Sequence, residues 1–202
     1  MRASRFSLNQ LSMNKYWAFG EAGSQYEKYW TIGVQADPRN PLLQFVDGGI
    51  FKIKPHGIEN EPHHDKISSV EVKVLQEGEF HPVIVSGNGV FMTKALARLC
   101  QREFPGSLRL IDVKSDSQLS SYHLIEFCNV IDCLNQEEMD WADHGGVKDC
   151  IPVSLPVLKN MNFPSGVFLS DKCHFMFVDD RLRNWLVDRG MPEDHFYEVD
   201  RI

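Results

Sequence analysis

Apolar and polar positions alternate with a period of two in SVEVKVL (69–75). Val70, Val72 and Val74 fall on one side and Glu71 and Lys73 on the other, which predicts a half-buried strand. KYWAF (15–19) begins another, because aromatic residues suit a pleated surface. In LLQFVDGGIFKIK (42–54) two apolar runs flank Asp47-Gly48-Gly49, residues that tolerate the positive φ of a tight reversal, so a hairpin is expected. HPVIVS (81–86) reads as one more strand. The N-terminal third is therefore β-rich.

From Asn88 the period changes. In NGVFMTKALARLCQREFPG, Met92, Ala95 or Leu96, Leu99 and Cys100 recur at three and four residues, which predicts a helix that Pro105-Gly106 stops. LRLIDV is a strand, and SYHLIEFCNVIDCL a strand running into an acidic segment. HFMFV (174–178) is a short buried strand. Asp179 then caps a helix, DRLRNWLVDRG, with Leu182, Trp185 and Leu186 on one face and Gly190 at its C-terminal end. Strands and helices mix without a βαβ repeat, so an α+β fold with mixed or antiparallel sheets and a few helices is expected rather than a doubly wound one. Along the chain, residues 1–13 read as a flexible leader, 14–80 as a β-rich part and 81–202 as an α+β part, or all of it as one domain.

Composition narrows the class. A chain of 202 residues, 43% of them hydrophobic, can bury a core without covalent staples. Its five cysteines are odd in number and contain no CxxC, the usage of a reducing compartment. No apolar run resembles a signal peptide or a membrane span, so a soluble cytoplasmic protein that inserts in no membrane is expected. The formal net charge is −7. Residues 126–149 hold seven acids (Glu126, Asp132, Glu137, Glu138, Asp140, Asp143, Asp149) against Lys148 alone, whereas the first 66 residues carry eight bases and seven acids. This asymmetry argues against nucleic acid as the direct partner, since phosphate binding needs a basic footprint. A basic protein partner fits it.

Candidate chemistry is sparse. HGIENEPHHD gathers His56, Glu59, Glu61, His63, His64 and Asp65, but Pro55, Gly57 and Pro62 break the helix that one-face ligand spacing needs, so a solvated loop explains it better. The rival reading is a metal-dependent hydrolase built on His56, His63 and His64 with Glu61. VSGNGV (85–90) lacks both the upstream glycine of a nucleophile elbow and the lysine of a phosphate loop, and reads as a sharply turned strand-to-helix junction. No residue is assigned to catalysis, a cofactor or a metal. CLNQEEMDWADHGGVKDC (133–150) admits three readings: a Cys133–Cys150 loop, a loose calcium loop from Glu138, Asp140 and Asp143, or a charged face for a basic partner. Reducing conditions and the ligand spacing weaken the first two. Trp141 among the carboxylates either tucks into the core or anchors an interface.

The order PVIVS, MTKALARLCQREF, LRLIDV, YHLIEFCNVIDCL and GVFLSDKCHFMFVDDRLRNWLVDRGMPEDHFYEV resembles an immunity-protein family of bacterial polymorphic toxin systems, over roughly residues 80–202. The resemblance implies a non-enzymatic role: binding a cognate toxin and occluding its active site. A nuclease toxin presents a basic surface, which joins this expectation to the charge reading. The expected contacts are Glu137, Glu138, Asp140 and Asp143 for steering and Trp141 as anchor. A general adaptor domain is the remaining alternative.

Overall fold

The period-two patterns become strands of two mixed sheets in the computed structural model, which describes residues 15–19, 31–35, 43–46, 49–54, 57–58, 68–76, 81–86, 89–144, 147–152, 154–171 and 175–202. The strands are β1 (Tyr16–Phe19), β2 (Thr31–Gln35), β3 (Leu43–Val46), β4 (Gly49–Lys54), β5 (Gly57–Ile58), β6 (Ser69–Gln76), β7 (Val83–Ser86) and β8 (Gly89–Thr93). Helix α1 (Lys94–Glu103) follows, then β9 (Leu108–Lys114), β10 (Tyr122–Phe127), β11 (Val130–Ile131), β12 (Trp141–His144), β13 (Val147–Pro152), β14 (Val167–Ser170) and β15 (Met176–Asp179). Helix α2 (Asp180–Val187) and β16 (Phe196–Glu198) complete the order. One sheet runs β11-β14-β15-β1-β16 and the other β2-β6-β9-β10-β8-β7, with β12-β13 and β3-β4-β5 apart from them. The fold is α+β. Residues 1–13 lie outside the described residues.

Both sheets bury both faces. Val83, Val85, Val90, Met92, Ile125 and Phe127 of the six-stranded sheet meet Phe19, Val167, Leu169 and Val178 of the five-stranded one in a shared core, into which α1 sends Leu96, Ala97 and Cys100 and α2 sends Leu182 and Leu186. The opposite face of the six-stranded sheet carries Val70, Val72, Ile84, Phe91, Ile111, Tyr122 and Leu124. The opposite face of the five-stranded sheet carries Tyr16, Ala18, Phe168 and Phe177, packed against Cys133, Leu134, Met139 and Leu158. Strand β1 pairs with β15 and β16, and β6 pairs with β9, so the first 80 residues contribute strands to both sheets.

The helix expected from Asn88 begins later. Ser86 pairs with Gly89 and Val85 with Val90, so VSGNGV is a β-hairpin and not a strand-to-helix junction. Val90 and Phe91, branched and aromatic, continue as β8, and Met92 belongs to that strand. The helix proper, KALARLCQRE, consists of good helix formers. Its buried face is Leu96, Ala97 and Cys100, while Ala95 and Leu99 face outward. SYHLIEFCNVIDCL also divides: β10 belongs to the six-stranded sheet and β11 to the other, and Asn129 bridges them by accepting from Leu169 N at 2.7 Å and donating through Nδ2 to Val167 O at 3.2 Å. Asp179 caps α2 as the sequence implied, accepting from Leu182 N at 2.8 Å. Gly190, at φ +89°, ends that helix in a left-handed turn closed by Met191 N to Leu186 O.

The second carboxylate oxygen of Asp179 accepts from Gly166 N at 2.8 Å, tying the start of β14 to the head of α2. Gly166 has φ +92°, and a Cβ there would stand 3.1 Å from Phe104 Cδ1 and 3.2 Å from Ser107 Oγ. Backbone strain and crowding act together. Gly166→Ala is expected to cost about 2 kcal/mol of stability, read from the urea midpoint at unchanged slope.

Candidate functional site

The acidic segment is held by the chain that follows it. After β11, Cys133 and Leu134 are fully buried, and Leu134 bridges antiparallel to Leu158. Asn135 N donates to Val157 O and Lys159 N to Cys133 O, both at 2.8 Å. Residues 133–135 are thus stitched to 157–159. Gln136–Glu138 then form a single 3-10 turn, with Met139 dropping into the cluster beneath it. Asp140 N donates to Ser154 Oγ at 3.0 Å, and Trp141 opens β12.

Glu137, Glu138 and Asp140 are exposed on this turn, and among the described residues no cation pairs with them. Trp141 is half-buried against the cluster of Tyr16, Phe168 and Phe177, and its indole N–H donates to Gln136 O at 3.2 Å. The ring therefore braces the turn from below. Asp143 continues along β12, and its side chain lies outside the described residues. Leu155, 62% exposed, sits one residue after the serine that holds Asp140 N. Sequence reasoning passed over it, although a leucine in PVSLPV with prolines on both sides suits an exposed connection better than a strand.

Two of the seven acids counted with this segment are compensated. Glu126 is 0% exposed and takes Arg109 Nε and Nη2 on one carboxylate oxygen. It belongs to the interior. Asp132 stays at the surface but pairs with Lys159 at 2.6 Å. The signal for the first lies in pairing: Arg109 and Glu126 are cross-strand partners in β9 and β10.

Titratable groups elsewhere are mostly enclosed. Cys133 is a free thiol, and burial pushes its pKa up to about 12, so it stays protonated at neutral pH. Burial likewise raises the Cys100 thiol to about 12. His123, nearly buried, has Nδ1 3.3 Å from Asp112 Oδ1. Burial lowers its pKa and Lys94 and Arg98 add to that lowering, against the opposing pull of Asp112 and of a backbone hydrogen bond at Ile111. His56, Glu59, Glu61, His63, His64 and Asp65 lie outside the described residues. Among those described, no three His, Cys, Asp or Glu side chains gather as metal ligands, and no helix is long and apolar enough to cross a membrane. No protein-family model matches this chain, and neither does any curated protein.

Proposed function

We propose that this chain is an immunity protein that binds a cognate toxin of basic surface, a nuclease in the simplest case, and blocks its active site without performing chemistry. One observation carries the reading: three exposed carboxylates, Glu137, Glu138 and Asp140, stand on a turn with no described counter-ion, over a fully packed base. A mobile acidic loop would lose its charge advantage to ordering entropy, and this turn is ordered before contact. Leu155 beside it supplies an apolar point within a polar surround, the usual layout of an interface centre. Converging charges accelerate encounter by about 10- to 1,000-fold at low salt, which suits an inhibitor that must arrive before its toxin reaches substrate. The enclosed thiols of Cys100 and Cys133 suit action in the cytoplasm.

The test is co-expression with the product of the neighbouring reading frame, scored for survival with and without this chain, with affinity measured on the purified pair. Glu137→Lys/Asp140→Lys is expected to abolish protection and to weaken binding by more than about 2 kcal/mol, roughly 30-fold, with unchanged thermal stability. Undiminished affinity in that variant would move the contact to another face. No rescue by the native chain would end the immunity reading.

A further inference from the structure

From the outward face of α1 we infer that a second copy of this chain docks there through its acidic turn, giving a salt-sensitive head-to-tail association. The helix buries Leu96, Ala97 and Cys100. At 100° per residue the direction opposite that face falls on Arg98 and Arg102, with half-buried Lys94 on one flank and Ala95 and Leu99 on the other, the three cations being spaced i, i+4 and i+8. The three cations form a row with steps of about 6 Å. Glu103 at the end of the helix is engaged by Arg181, and among the described residues no acid pairs with Lys94, Arg98 or Arg102. Leu99 is 43% exposed beside them.

This face matches the acidic turn in kind. Three cations and three carboxylates, none paired among the described residues, lie beside exposed Leu99 and exposed Leu155 respectively, so both the charges and the apolar points have counterparts. The two patches cannot meet within one molecule. Helix α1 packs into the core that lies between the sheets, whereas the acidic turn rests on the far face of the five-stranded sheet, beyond Phe168 and Phe177. Contact between unlike patches on two copies closes as a pair if both turn-on-helix contacts form about a two-fold axis, and otherwise grows into a ring or an open chain. The inference does not depend on the toxin reading. If both hold, a neighbouring copy and the toxin compete for the same turn.

Sedimentation velocity on the purified chain alone tests it. The native protein is expected to sediment faster as its concentration rises at about 20 mM salt, with the apparent dissociation constant at least about tenfold weaker at 300 mM. Lys94→Glu/Arg98→Glu/Arg102→Glu and Glu137→Lys/Glu138→Lys/Asp140→Lys should each stay monomeric. Their equimolar mixture should associate again, since one supplies the native turn and the other the native helix face. Native protein that stays monomeric at low salt, association indifferent to salt, or a mixture that fails to associate would each overturn the inference. None of these results bears on whether a toxin is neutralised.

Discussion

Arg109→Met is expected to lower the unfolding free energy by about 3 to 5 kcal/mol, the cost of leaving a buried carboxylate without its cation. Glu126 has no exposed surface, and its strand turns Tyr122 and Leu124 to a face lined with Ile111 and Phe91. Methionine keeps much of the apolar reach of arginine but brings no charge and no N–H, so the loss reads the pairing and not a cavity. The pair itself is a different matter. Desolvating both ions offsets most of their attraction, so Arg109→Met/Glu126→Leu, which replaces the pair with apolar groups, should recover most of the stability. Urea unfolding of the native chain, both single variants and the double variant closes the cycle, and the coupling should exceed about 2 kcal/mol. A single-variant loss under about 1 kcal/mol would show a carboxylate that water already reaches.

The same pair marks where the sequence stops being legible. Elements with an unambiguous period were readable: β6 from its alternating valines, α2 from the Asp179 cap and the Leu182/Leu186 face, and the β3–β4 hairpin from Asp-Gly-Gly, whose ends Val46 and Gly49 pair directly. The start of α1 was obscured because β8 is apolar throughout. Val90, Phe91 and Met92 bury both faces, and a strand without alternation merges into the helical period after it. Leu99 was assigned inward since a period of three and four fits either side of a ten-residue helix until the packing partner is known. A count of acids over 126–149 cannot single out Glu126 for a similar reason: its burial follows from cross-strand register with Arg109, a fact about pairing and not about composition. The acidic turn, by contrast, could be anticipated at Glu137, Glu138 and Asp140. Exposure is the default for carboxylates, and only the brace of Trp141 and the neighbouring Leu155 needed the fold.

Phe168→Ala is expected to cost about 3 to 5 kcal/mol, because its ring is the centre of the cluster on which the acidic turn stands. The residue is fully buried, stacked on Phe163 with centroids 4.9 Å apart and on Phe177 at 5.3 Å, with the edge of Tyr16 at 5.9 Å. Removing it deletes transfer energy and three ring contacts, and the surrounding strands are too well paired to collapse into the gap. Phe163, only partly buried, should cost less on the same substitution. The consequence reaches the surface. Met139, Cys133 and Leu158 share the cluster with Phe168, so the turn between Asn135 and Asp140 should open locally before the sheet does, visible as faster amide exchange at Asp140 than at Leu169. Under the proposed immunity role, toxin affinity should then fall together with that protection, whereas Glu137→Lys/Asp140→Lys should lower affinity while leaving exchange unchanged. A Phe168→Ala loss below about 2 kcal/mol would mean the neighbouring rings close over the space, and the turn would then keep both its order and its affinity.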